Sequence, residues 1–234
     1  MLKKLSPFDL AAVFQPQVEW AAVSTEIDHA VSILDLKTGG VNPGDRRAIY
    51  QLIRHLKPKL ALEIGTHVGA STVHIAMALR SNGGGELTTV DIVDVNAVDG
   101  PWFQHGLRGS PSDTLGRVGM SERVRFVQAR SVDFLQQRAE YDFIFLDGDH
   151  AAETVYQELP LAIAHLREGG TILLHDYFPN GEALWKDASA IRGPYEACAR
   201  LRSEGAVFDV LPLGELPWPT KFGSRVTSLA LVKC

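Results

Sequence analysis

From residue 45 to the end, short runs rich in β-branched and aromatic residues alternate with longer stretches of helical periodicity. That alternation marks βαβ units, and it restricts the fold to a parallel sheet with helices packed on its faces. Five strands are expected at Leu60 to Ile64, Leu87 to Asp91, Val124 to Gln128, Tyr141 to Leu146 and Thr171 to Leu174. The fourth carries the unbroken apolar run FIFL, as a strand covered on both faces does. Two later runs, Val207 to Leu211 and Val226 to Val232, complete a doubly wound, mostly parallel seven-stranded α/β sheet with a C-terminal antiparallel pair. Pro212, Pro217 and Pro219 make the segment between them a loop.

Helices are expected where apolar residues recur at helical spacing. Ile49, Leu52, Ile53 and Leu56 define one, Thr72 to Arg80 a second, and a third starts near Val132. A fourth carries the stripe Val155, Leu159, Ile163 and Leu166 and stops at Gly169-Gly170. Residues 1–45 read as a helical lead-in closed by the turn-rich GGVNPGD, and residues 1–234 as one domain. The least regular stretch, Asn96 to Met120, is either a lid or an insertion, and holds Trp102, Phe103, His105 and Arg108.

A net charge of −5 argues against a nucleic-acid surface. No apolar stretch approaches the roughly 18 to 20 residues of a membrane span. Pro7 and Asp9 interrupt the region where a signal peptide needs an apolar run. With only Cys198 and Cys234, there is neither a disulfide framework nor a thiolate metal site, so the default expectation is a cytoplasmic protein.

The run ALEIGTHVGAST spans the first strand and the loop into the next helix, at the strand ends where open α/β sheets bind ligands. Gly65 and Gly69 suit a tight turn and close approach to a ligand. Ser71 and Thr72 open a helix whose free N–H groups can receive a carboxylate or phosphate. Glu63 would repel a pyrophosphate but can accept from an ammonium group, directly or through water, which favours an amino-acid tail over a dinucleotide. Asp91 ends the second strand, where an acid can hold both ribose hydroxyls; Asp94, beyond the strand end, is a lesser candidate. The tighter GxGxxG turn of NAD-dependent oxidoreductases is absent.

ALEIGTHVGAST resembles motif I of class I S-adenosylmethionine (SAM) dependent methyltransferases, in the ExGxxxGxS form of the catechol and caffeoyl-CoA O-methyltransferase group. The resemblance runs from about Gly40 to Tyr177 and implies a Rossmann-like fold. It implies that Glu63, Gly65, Gly69 and Ser71 line the methionine end of SAM and that Asp91 binds the ribose. The segment Ala129 to Asp133 resembles the one that meets the adenine, with Ser131 in the contacting position.

Strand four ends in FLDGDH and strand five in LLHDYF, on neighbouring strands about 4.8 Å apart. Asp147 and Asp176 can therefore converge beside the cofactor loop, and two close carboxylates suggest a divalent cation. Asp147 borders both the cofactor and that ion. Asp149 reads more simply as a helix cap. The DxxH spacing resembles metal-dependent O-methyltransferases acting on macrolide sugars and their cephalosporin-pathway relatives. That likeness implies Asp147 and Asp176 as ligands and His150 as general base, where catechol-type enzymes carry lysine. His175 is either a third ligand or a histidine hydrogen-bonded at the sheet edge, and it faces the ion only if the chain bends after Leu174. An all-oxygen site suits magnesium, whereas an imidazole ligand shifts preference toward manganese or another transition metal.

The expected activity is methyl transfer from SAM to a hydroxyl of a small molecule. The family likeness implies a homodimer or larger homo-oligomer. The alternatives are a metal-dependent hydrolase, which leaves Asp91 and the glycine loop unexplained, and a catalytically inactive SAM-binding protein.

Overall fold

A computed structural model describes residues 10–15, 19–31 and 40–234 of the chain. Among them, strands β1 (Leu60–Ile64), β2 (Glu86–Asp91), β3 (Val124–Gln128), β4 (Tyr141–Leu146), β5 (Leu166–Leu174), β6 (Asp209–Pro212) and β7 (Ala230–Lys233) form one sheet. The strand order is β3-β2-β1-β4-β5-β7-β6. Strands β1 to β5 run parallel, and β7 pairs antiparallel with both β5 and β6. The chain winds outward in one direction from β1 and in the other from β4. The crevice at the C-terminal ends of these two strands is thus the natural ligand position of such a sheet.

The helices are α1 (Leu10–Val13), α2 (Trp20–Val31), α3 (Pro43–Leu56), α4 (Ala70–Ser81), α5 (Pro101–Gln104), α6 (Pro111–Arg117), α7 (Ser131–Leu135), α8 (Ala152–Ala164) and α9 (Gly193–Ser203). Strand alternation divides the core into two layers. Phe143, Phe145, Leu173 and Leu231 face the layer built by α3 and α4, while Ile144, Leu146, Ile172 and Val232 face α8 and α9. Helix α3 begins where Asn42 caps it, its side chain accepting from the amides of Gly44 and Asp45. Parts of the helical lead-in, residues 1–9, 16–18 and 32–39, lie outside the described residues. No helix among the described residues is long and apolar enough to cross a membrane.

Several boundaries differ from expectation, among them β6, which starts at Asp209 rather than Val207. Helix α8 ends at Ala164, and Leu166 belongs to β5, opposite Tyr141. The cause is His165, whose ring nitrogens sit 2.6 Å from the carbonyls of Leu135 and Ala139 and pin the chain there. Gly169-Gly170 lies within β5, at an irregularity that shifts the register between Tyr141 and Phe143. Pro212 is the last residue of β6, tolerated because β6 is an edge strand, and β7 starts only at Ala230.

Candidate active site

A cleft of about 630 Å³ opens at the switch point, within the usual size of small-molecule sites. Its walls include Gly65, Ser71, Asp91, Ser131, Asp147 and His150. Gly65 has φ +96° and donates its N–H to the Val90 carbonyl at 2.8 Å. A Cβ there would lie 2.0 Å from the Asp147 carbonyl oxygen, so the β1–β4 junction has room only for glycine. Gly69, at φ +78°, caps α4 and packs against Pro111; it shapes the turn without bordering the cleft.

Asp91 holds the loop in place. Its Oδ2 accepts from the amides of Thr66 (3.1 Å) and His67 (2.9 Å), and its Oδ1 from Val93 (3.1 Å). Oδ2 is thereby filled, but Oδ1 keeps a further lone pair, so Asp91 can also accept a ligand hydroxyl. Asp94 is turned into its own loop, accepting from Asn96 at 3.0 Å. Glu63 is fully buried beneath the loop and off the cleft wall. Its Oε2 accepts from the hydroxyls of Thr72 (2.5 Å) and Thr89 (2.6 Å), while Oε1 has no partner among the described residues. Burial pushes this carboxyl up to about 7, against the pull of the Ser71, Thr72 and Thr89 hydroxyls. Glu63 therefore meets the cleft through hydroxyls, by way of Thr89 and the Thr66 that borders it, rather than by its own surface.

At the other end, Ser131 borders the cleft, and near it lies Glu158, which sequence reasoning missed. Glu158 is 2% exposed, its Oε1 is unpartnered among the described residues, and burial raises its carboxyl to about 7. Its sole sequence signal is an acid amid the apolar positions of α8.

The acidic strand ends do converge. Asp147, His150 and His175 each present a ligand atom within 4.8 Å of the others. His150 Nε2 lies 3.3 Å from Asp176 Oδ2 and 3.9 Å from Asp147 Oδ1. His175 Nδ1 is 2.6 Å from Asp147 Oδ1 and 3.6 Å from Asp176 Oδ2. The bend that this requires falls at Asp176, whose φ of +51° is left-handed, and Ser228 donates to its Oδ1 at 3.2 Å. Such backbone strain in a non-glycine residue is a feature of functional sites. His150 thus joins the donor group instead of standing apart from it. Burial alone would push the His175 imidazole down, but the carboxylates of Asp147 and Asp176 and the bonds to Asp147 and Asp45 hold it well above the usual range. Asp149 serves the turn into α8, accepting from Ala151 N (3.0 Å) and Thr154 Oγ1 (2.6 Å), which lowers its carboxyl.

Residues 96–120 form two short helices fastened to the body. A capping box joins Ser110 to Asp113, and Arg117 donates to the Ala30 carbonyl at 2.8 Å. His105 brings this segment to the cofactor loop, its ring centroid 5.0 Å from that of His67, itself left-handed at φ +48°. Trp102 and Phe103 pack on each other off the cleft wall. Trp185 is buried against Phe178.

Residues 62–177 match the methyltransferase domain family, a stretch that runs from β1 through the cofactor loop to both acidic strand ends. Over that stretch, close to half of the chain, the protein is similar to methyltransferases. It is similar, at 29% identity over 84% of each chain, to a Mycobacterium sp. (strain JLS) protein carrying a provisional O-methyltransferase name. A catechol O-methyltransferase of Niastella koreensis is 26% identical over 71% of this chain and 72% of its own. In fold it is similar to the Bacillus cereus O-methyltransferase solved in complex with SAH (TM-score 0.62, 19% identity, covering 95% of this chain and 93% of that one).

Proposed function

We propose that the protein transfers the methyl group of SAM to a hydroxyl of a small molecule, with His150 as general base and a divalent cation held by Asp147, Asp176 and His175. The observation that carries this reading is the meeting of His150 and Asp176, 3.3 Å apart, beside Asp147 on the wall of the cleft that the Gly65 loop also lines. The O-methyltransferase names of the sequence relatives support the choice of a hydroxyl acceptor. Gly65 and Ser71 would border the methionine end of SAM, Asp91 would accept from the ribose, and Ser131 would meet the adenine. Glu63 would act on the ammonium end through its hydroxyl partners.

The donor chemistry fits a divalent ion, since carboxylate and imidazole atoms of Asp147, His150 and His175 lie within 4.8 Å of one another and Asp176 Oδ2 is 3.6 Å from His175 Nδ1. When bound, such an ion would lower the pKa of the acceptor hydroxyl and orient it. To ligate, His175 must give up the Nδ1 proton it shares with Asp147. Asp176 orients His150 through Nε2, leaving the other ring nitrogen for the acceptor proton. As the acceptor oxygen bonds to the methyl carbon and the carbon–sulfur bond breaks, the electron pair stays on sulfur and the proton passes to His150.

Calorimetric titration with SAM, first in chelator and then with added magnesium, tests the reading. A micromolar Kd, about −8 kcal/mol, is expected. No binding in either condition would overturn it and favour a metal-dependent hydrolase, which the Asp147–His150–His175 group also suits. Binding without methylation of any hydroxylated acceptor would indicate an inactive SAM-binding protein.

A further inference from the structure

Asp45 has no part in the chemistry above, yet it is fully buried and belongs to the same cluster. It sits in the first turn of α3, where an acid usually does no more than complement the helix N-terminus. Here its carboxylate faces away from that task. Oδ1 accepts from Thr227 Oγ1 at 2.5 Å, and Oδ2 accepts from Asn42 Nδ2 at 2.6 Å while lying 3.7 Å from His175 Nε2. Among the described residues, His175 is its one ion-pair partner within 4 Å. A carboxylate taken wholly out of water is costly unless paired, so this contact is part of what makes the position tolerable.

We infer that Asp45 is a positioning residue, which fixes the ring of His175 and through it the carboxylate of Asp147. The two nitrogens of an imidazole lie on opposite sides of the ring. With Nε2 directed at Asp45, Nδ1 must be directed at Asp147, where it stands at 2.6 Å. Nε2 lies on the Asp45 side, so the nitrogen facing Asp147 is the one whose proton can be exchanged for another partner. Without Asp45 the ring keeps Nδ1 on Asp147 but loses the contact that holds it from the Nε2 side, and Asp147 loses a donor fixed at both ends. Asn42 and Thr227 hold Asp45 from α3 and from the approach to β7, so the anchor is itself clamped on two sides. The consequence for turnover rests on the methyl-transfer reading, but the geometry does not.

The test is NMR of the histidine side chains in the intact, ¹⁵N-labelled protein, with no SAM, ion or acceptor added. Wild type is expected to show a proton on His175 Nε2 protected from solvent exchange. Asp45→Asn should remove that protection and broaden the Nδ1 signal, while SAM affinity stays within about twofold as a check on folding. An unprotonated or freely exchanging His175 Nε2 in wild type, or His175 signals unaltered in Asp45→Asn, would overturn the inference. The wild-type spectrum decides the matter even where the variant does not fold. Since no step needs methyl transfer, an inactive protein leaves the outcome readable.

Discussion

Gly65→Ala adds one methyl group at the tightest point of the candidate site. The new Cβ would meet the Asp147 carbonyl oxygen at 2.0 Å, its carbon at 2.6 Å and the Gly148 nitrogen at 2.9 Å, all of them backbone atoms that cannot swing aside. Relief requires β1 and β4 to part at their C-terminal ends, a form of overpacking that costs about 1–3 kcal/mol. The backbone at φ +96° adds about 1–2 kcal/mol for any residue with a Cβ. Together these come to about 2–5 kcal/mol, a large share of the 5–15 kcal/mol typical of a domain. At about 2–4 °C per kcal/mol for a chain of this size, the melting temperature should fall by roughly 5–20 °C. Gly119→Ala separates the two causes, because Gly119 has φ +68° and nothing within 4 Å of its added Cβ. It should lose only the backbone share, about 1–2 kcal/mol, and bind SAM as wild type does. Thermal melts and SAM titrations of both variants are the assay. If Gly65→Ala melts alongside Gly119→Ala and keeps its SAM affinity, the cradle is not tight and the reasoning fails.

Other expectations concern buried and reacting groups. The carboxyl of Glu158 is raised from 4.5 to about 7, so the folded protein holds this proton more tightly than the unfolded chain. Stability therefore falls as pH rises between those values and levels off above about 7, by roughly 3 kcal/mol from this group. Melting profiles of Glu158→Gln from pH 5 to 8 should be flatter than wild type by that amount, and parallel profiles would show that the carboxyl does not titrate there. His150→Ala should lose about 10²- to 10⁴-fold in turnover while keeping SAM affinity, measured once an acceptor is in hand. Normal turnover would remove His150 from the mechanism.

The sequence foretold β1, β3 and β4 to the residue, because each is a short run rich in aliphatic and aromatic residues bounded by polar or turn-forming neighbours. Gly65 was equally legible, since its neighbours in chain and pattern already demand a turn. The failures were of another kind. Leu166 continues the helical stripe of α8, and only the pinning of His165 by two distant carbonyls sends it into β5. Thr227 and Ser228 read as strand, but their hydroxyls are drawn to Asp45 and Asp176 and the strand starts after them. Asp45 and Glu158 look like ordinary helical acids. What they face is decided by packing between elements far apart in sequence, which no local pattern records.

The clamp on Asp45 joins positions 182 apart along the chain. Closing so long a loop is entropically costly before its contacts form, so such pairings come late in folding. The cofactor loop rests on β1, β2 and the end of β4, whereas the acid–histidine cluster also awaits docking of the 227–233 segment against β5. Under mild denaturant the protein should therefore pass through a state that has lost its reactive cluster while the glycine turn persists. Hydrogen exchange would register this as earlier opening at Ala230–Val232 than at Leu62–Ile64. Damage to marginal variants would then fall first on catalysis and only later on cofactor retention.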